Sequence, residues 1–420
     1  MIKNFKAEKK IIKKEIEKTE DIIASEVEFI RKKKLGSLFV QGAFFSFATA
    51  LLSYILSSYL ARFIDEKYVS LVYLLPNIIA VILIFFFGKI IKKFGIFKVA
   101  LFNMILLMFS LISQIFIKQE AFFVIFTIIL YQITSSIFFV FVDYYVEKYS
   151  VDGTTGNTKG IQWTLMNLTF LFGPLVAGIL LSKLGFDFVF GLSAIMTLPT
   201  IFLFVKSFKN IKITHTRTVS INIKKVLKND SIVRISIVSF LLNLFYCWMA
   251  IYVPIYMNKT LGLEWNKIGI IIGIILIPFV IIELPAGKIA DKWLGEKELL
   301  MTGFIIISIS TFLLFFTTNI IVFTLLLFTT RIGASAIEIM REVYLYKKVS
   351  TKNIDLISFY KIMSPLAYIV GPILASIILT FSDMKVLFLY LGVILLVTGL
   401  SVLWGLKDTK VNFKSKFIEM

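Results

Sequence analysis

Arg331 and Glu338 stand inside one long apolar run, and ionisable groups in such a setting are the first candidates for chemistry in this sequence. Arg331 falls about 12 residues into its run, near the middle at a helical rise of about 1.5 Å per residue. Glu338 follows two turns later on the same face, with Ser335 between them. Glu283 and Lys361 are further ionisable residues in neighbouring runs. A charge facing hydrocarbon is costly, so each of these is a functional candidate. Arg331 would bind a solute anion or act in a proton switch, and Glu338 and Glu283 would be protonatable coupling sites. The competing account is a set of helix-bracing ion pairs, such as Glu338 with Lys361 or Arg341. His215 is the sole histidine and Cys247 the sole cysteine. A disulfide framework, a Cys/His metal site and a histidine-based triad are thereby excluded. Residues Gly153 to Lys159 hint at a phosphate loop without its spacing, so no nucleotide site is expected. No enzyme, cofactor or metal is expected.

The elements that hold these residues are read from composition. The chain has 420 residues, 58% hydrophobic and 17% charged, with a mean hydropathy of +0.89. Soluble chains run at about 45–50% apolar and about 25% charged. A soluble enzyme, a disordered scaffold and a nucleic-acid-binding domain are therefore poor readings. Twelve apolar segments, at 38–62, 69–90, 97–117, 121–146, 160–183, 186–206, 232–256, 266–288, 298–317, 319–345, 356–380 and 384–406, are each long enough to cross a core of about 30 Å. The fold class expected is an all-α membrane protein. Its organisation is a basic amphipathic N-terminal extension over 1–36, a six-helix bundle over 37–206, a linker over 207–231, a second six-helix bundle over 232–406 and a tail over 407–420.

The net charge of +19 is distributed by side rather than evenly. The two tails, the linker and the other even-numbered connections carry 36 Lys/Arg, and the odd-numbered connections carry seven. Basic residues concentrate on the cytoplasmic side, which places both termini and the linker there. The extension has the spacing of an amphipathic helix, with Ile12, Ile16, Ile23, Val27 and Ile30 on one face. It is expected to touch headgroups or the protein's own inner face. Six arginines against 39 lysines, with abundant Phe, suggest a prokaryotic origin and so the cytoplasmic (inner) membrane.

The halves repeat at a nearly constant offset. Gly88-Lys89-Ile90 returns as Gly287-Lys288-Ile289, Asp143-Tyr144-Tyr145 as Glu342-Val343-Tyr344, and Gly173-Pro174 as Gly371-Pro372. The stretch Gly287-Lys288-Ile289-Ala290-Asp291-Lys292-Trp293-Leu294-Gly295-Glu296-Lys297 resembles the signature loop of the major facilitator superfamily, G-x-x-x-D-(R/K)-x-G-x-(R/K), with one residue added before the second glycine. The resemblance spans about residues 37–406 and implies two pseudo-symmetric six-helix bundles working by alternating access. In the family the loop's acid joins an ionic latch with the inner end of segment four. Here the first copy has Lys92 at that position, facing Asp143 and Glu147, so the latch is either charge-swapped or decayed. In the second half Asp291 would face Arg341. Gly173-Pro174-Leu175-Val176-Ala177-Gly178 partly resembles the G-P-x-x-G-G element of proton-coupled exporters, although such small residues also serve plain helix packing.

The resemblance further implies that segments one, four, seven and ten line a central cavity. Their candidate contacts are Gln41, Ser53, Tyr54, Gln132, Asn243, Tyr246, Trp248 and Arg331, beside Ser46, Thr49, Tyr131, Ser135 and Thr330. Amides and hydroxyls among aromatics suit a small, partly apolar solute. The expected protein is a monomeric secondary transporter in membrane lipid, coupled to protons, with a lean toward export and no nucleic-acid partner. The alternatives are a transporter-shaped solute sensor and a lipid flippase on the same scaffold. Gly269 and Gly273 are expected to serve internal packing rather than a dimer face.

Overall fold

The computed structural model describes residues 2–117, 120–149, 155–209, 226–292, 295–349 and 354–406. Among them there are helices and turns and no strand. Helix α1 spans Ile2–Ser53 and resumes after a break as a short helix, Leu56–Leu60. There follow α2 (Glu66–Phe94), α3 (Ile96–Phe116), α4 (Ala121–Tyr149), α5 (Thr155–Leu184) and α6 (Phe186–Phe208). The second set is α7 (Asp230–Ile255), α8 (Trp265–Lys292), α9 (Glu296–Leu313), α10 (Ile320–Lys348), α11 (Ile354–Phe381) and α12 (Val386–Trp404). Twelve helices among the described residues are long and apolar enough to cross a membrane.

In hydrocarbon every backbone group must be satisfied within the chain, which is why apolar runs of this length become helices. Their ends carry local signals. Asp65, Asn229 and Asn319 cap α2, α7 and α10 by accepting backbone N–H bonds. Gly95 and Gly185, at φ +82° and +86°, link α2 to α3 and α5 to α6 through a single residue, a conformation that side chains resist. Pro254 near the end of α7 removes a donor, and the chain continues as a π-turn over Tyr256–Thr260.

The repeat read from sequence is present in the helices themselves. Helices α4 and α10 are both 29 residues long. They begin at Ala121 and Ile320 and end at Tyr149 and Lys348, so one and the same offset relates both pairs of ends. Neighbour relations repeat too: α1 packs on α5 and α6 as α7 packs on α11 and α12, and α3 packs on α4 and α6 as α9 packs on α10 and α12. Lipid-facing side chains such as Phe102, Phe109, Phe202, Ile309 and Val397 are exposed on α3, α6, α9 and α12. The fold is an all-α bundle of twelve helices in two similar halves.

The halves meet through α2 with α11 and α5 with α8, pairs that exchange under the repeat. Gly178 and Gly269 bring α5 and α8 into backbone contact, and a Cβ on Gly178 would stand 2.6 Å from the Trp265 carbonyl oxygen. Gly273 lies against Leu175, so Gly269 and Gly273 serve internal packing, as the sequence suggests. Gly173 seats α5 on Ala50 of α1, and Gly371 seats α11 on Leu244 and Cys247 of α7. Ser70 Oγ donates to the Pro372 carbonyl at 3.1 Å, Lys259 pairs with Glu66 at 2.6 Å, and Phe186 meets Trp265 edge-on. These contacts all lie in the half of the bundle holding the α1–α2 and α7–α8 turns, away from the termini.

Candidate functional site

The polar groups of the central helices are unequally shared. In the second half α10 presents Arg331, Glu338, Arg341 and Glu342 toward α7 and α11. The Tyr246 hydroxyl donates to Glu338 Oε2 at 2.6 Å, and Arg341 Nη2 stands 3.8 Å from the other carboxylate oxygen. Arg341 is 8% exposed, and its Nη1 donates to Ser239 Oγ at 3.0 Å. The Tyr360 hydroxyl donates to Glu342 at 2.7 Å, tying α11 to α10. Ser364 Oγ donates to Asn243 Oδ1 at 2.8 Å, while Asn243 Nδ2 donates to the Ser239 carbonyl. Of the pairings expected for Glu338, the one formed is with Arg341; Lys361 is exposed on α11.

Arg331 sits above this network and differs from it. It is 2% exposed, its guanidinium lies 5.0 Å from the Phe245 ring centroid, and its Nη1 has no hydrogen-bond partner. No carboxylate of the described residues stands within 4.0 Å of it. The Tyr54 hydroxyl from the first half is within hydrogen-bonding reach of the Arg331 side chain, and the Tyr368 hydroxyl of α11 lies within electrostatic range. Tyr54 occupies the break between Ser53 and Leu56, where α1 loses its regular ladder. Broken helices near the middle of a membrane fold are a common setting for solute sites. Thr330 is spent on the Leu327 carbonyl of its own helix.

The first half contributes neutral groups. Gln132 of α4 has a buried Nε2 with no partner. The Ser53 and Thr49 hydroxyls bond to carbonyls of α1 itself. Gln41 Nε2 donates to Ser37 of its own helix, the Gln41 backbone carbonyl accepts from Thr200 of α6, and Ser37 meets Ser207 at 2.7 Å, so Ser37 and the backbone brace α1 on α6. Trp248 is likewise a brace, 2% exposed, with Nε1 donating to the Gly371 carbonyl at 2.9 Å. Ser239, Tyr360 and Ser364 complete the polar cluster, and Phe245 lines it, although sequence reasoning missed them. Their only signal is a helical spacing from residues that it did single out.

Of the latch residues, Lys92 is exposed at the end of α2, and Arg341 is turned toward α7. Gly88, Asp143, Glu147, Gly287 and Asp291 lie in helices α2, α4 and α8, and their side chains, with that of Glu283, are outside the described residues. So are His215 and most of the 207–231 linker. Near the termini end of the first half, Lys34 Nζ donates to the Tyr149 hydroxyl at 3.5 Å. Partial burial, and then the like charge of Lys34, pull the Lys148 ammonium below its ordinary range. At the opposite end a cavity of about 410 Å³ opens between the halves, lined among others by Ser58, Arg62, Phe186, Lys259 and Trp265. No cluster of His, Cys, Asp or Glu suited to a metal occurs among the described residues.

Comparison with curated proteins returns no match. The sequence profile of the Major Facilitator Superfamily matches residues 37–293 and 237–417, which together cover both bundles. With twelve membrane-length helices in two repeated halves and a polar site at their centre, the chain belongs to the Major Facilitator Superfamily and is a transporter of a small-molecule substrate rather than an enzyme.

Proposed function

We infer that the chain is a proton-coupled carrier in the cytoplasmic membrane of a prokaryote, with both termini and the 207–231 linker in the cytoplasm. The asymmetry of 36 basic residues against seven supports that orientation. With it, the contacts between the halves fall on the outer side, and the arrangement is an inward-facing one. The observation that carries the coupling is Glu338. Its carboxylate holds α7 through Tyr246 and shares Arg341 with Ser239. A proton on Glu338 neutralises the acceptor of both bonds, loosens the α7–α10 contact and leaves Arg341 to Ser239. Solute bound in the same central region is thereby linked to proton occupancy, because each ligand changes the state the other meets. Glu283 falls about five turns into α8 from Trp265, as Glu338 does into α10 from Ile320, and is assigned as the second coupling residue.

Export by antiport is the direction favoured, on the likeness of the Gly173–Gly178 element to that of exporters. That element also seats α5 on its neighbours. The latch at the cytoplasmic side is assigned to Gly88, Lys92, Asp143 and Glu147 in the first half and to Gly287, Asp291 and Arg341 in the second. The protein works as a monomer, since each half supplies the other's counter-surface.

A thermal-shift screen on purified protein would identify a solute for flux measurements in proteoliposomes with an imposed pH gradient. Wild-type protein should move that solute against its own gradient, and Glu338→Gln should keep exchange while losing the pH-driven component. Equal pH-driven movement by Glu338→Gln would sink the assignment of Glu338.

A further inference from the structure

Among the buried donor atoms without a hydrogen-bond partner, one on Gln132 and one on Arg331 belong to the same position in the two halves. Gln132 lies about three turns into α4, counted from Ala121, and Arg331 lies equally far into α10, counted from Ile320. Helices α4 and α10 begin and end at one offset, so the repeat carries Gln132 onto Arg331. Gln132 Nε2 and Arg331 Nη1 are each buried without a hydrogen bond. The face of α10 bearing Arg331 is turned toward the other half, since the guanidinium is in range of Tyr54 on α1. By the same symmetry operation the corresponding face of α4 is turned toward the second half.

The charges explain what is missing. Glu338 is taken by Arg341 and Tyr246, and Glu342 by Tyr360. Glu338 lies seven residues beyond Arg331, about 10 Å along the helix, too far to serve it. The guanidinium is 2% exposed and rests on the Phe245 ring, which neither neutralises it nor satisfies its in-plane donors. A buried cation with no carboxylate of the described residues within 4.0 Å gains when an anion arrives. A planar fork matches a carboxylate, and an amide N–H from the opposite half can take a remaining lone pair. Phe245, Tyr54 and Tyr368 around the guanidinium supply an apolar wall with hydroxyl tips.

We propose that Arg331 and Gln132 are the two halves of one acceptor-reading site, and that the transported solute is a small organic monoanion whose carboxylate bridges them while an aromatic or aliphatic body lies against Phe245. This rests on the carrier reading above. It does not depend on proton coupling or on direction. One positive charge at the site selects one negative charge on the solute, and a neutral or cationic analogue leaves the guanidinium without a counter-charge.

The experiment is binding to purified full-length protein in detergent, read as the concentration-dependent rise in melting temperature. The probes are acetate, benzoate and octanoate, each paired with its neutral amide, and benzylamine as the cation. At least one carboxylate should stabilise the wild type, with no stabilisation by its amide or by benzylamine. Arg331→Gln should abolish that response while unfolding at a temperature of its own with an undisturbed elution profile. Arg331→Lys keeps the charge but loses the fork, which should weaken binding about tenfold. Gln132→Ala should weaken it several-fold, and Gln132→Glu, which brings a carboxylate to the site, should abolish it. The proposal is overturned if none of the carboxylates acts through Arg331, or if an amide or benzylamine stabilises as well as the matching acid. Binding through Arg331 without movement of that acid in proteoliposomes would overturn the carrier reading for this solute class and leave the site standing.

Discussion

The contact between Gly178 and Gly269 sets how firmly one end of the molecule is closed, and replacing Gly178 with alanine measures it. The added Cβ would stand 2.6 Å from the Trp265 carbonyl oxygen and 2.9 Å from Gly269 Cα. Both are backbone atoms and cannot swing aside. Ordinary contact begins at 3.4 Å, so α5 and α8 must part by about 0.8 Å. A gap of that size forfeits a quarter to a half of each dispersion well. At about 0.1–0.2 kcal/mol per atom pair over a few dozen pairs, the loss is about 1–2 kcal/mol. That shifts the balance between closed and open forms of this end about tenfold. The assay is labelling of Ser58→Cys, whose residue lines the cavity beside that contact, with a membrane-permeant maleimide in a Cys247→Ala background. Gly178→Ala should raise the labelling rate about tenfold, and Gly269→Ala, which meets the Pro174 carbonyl oxygen at 2.6 Å, should do the same. Unchanged rates in correctly inserted variants would refute the reasoning that backbone contact holds this end shut.

Orientation is checked with impermeant reagents. Single cysteines replacing Lys259 and Lys224 in a Cys247→Ala background should label from opposite sides of the membrane, and labelling of both from outside would sink the twelve-segment topology. The charge-swapped latch predicts that Lys92→Asp impairs transport by placing like charges near Asp143 and Glu147, and that adding Asp143→Lys restores part of it. Additive losses in that double-mutant cycle would mean that the loop has decayed.

The membrane helices were legible in the sequence because hydropathy reports burial in lipid directly. Their lengths were less so. Segment two, expected over 69–90, is α2 over Glu66–Phe94, since charged residues end an apolar run without ending a helix. Gly36 divides the extension from the first segment in composition, yet α1 passes through it unbroken from Ile2 to Ser53. The break that does occur, at Tyr54, has no glycine or proline to announce it. The repeat was visible in its glycines and acids, and it is what makes Gln132 the counterpart of Arg331. Which face a polar residue takes was not readable. Lipid is as apolar as a protein core, so a membrane helix lacks the polar stripe that marks the outside of a soluble one. Gln41 and Trp248 read as cavity groups by type alone, and their faces came only with the structure, where Gln41 Nε2 donates to Ser37 and Trp248 Nε1 to the Gly371 carbonyl. Glu338 and Arg331 could be picked out because ionisable groups have few places to go in a membrane.

The crossing of α5 and α8 also has a mechanical consequence. Gly178 is under two turns from Leu184, the nearer end of α5, and about six turns from Thr155. Gly269 is about one turn from Trp265, where α8 begins, and about six turns from Lys292. Taken as a fulcrum, the crossing divides each helix into a short arm of about 6–9 Å and a long arm of about 35 Å. A displacement of about 1 Å at the short end becomes one of about 4–6 Å at the end near the termini. On that lever an adjustment of about 1 Å at the Trp265 end is geared up to the scale of a small solute at the far end. Because the gearing is fixed by where the glycines fall along the helices, moving the Gly269 crossing one turn along α8 would change the stroke without touching the solute site.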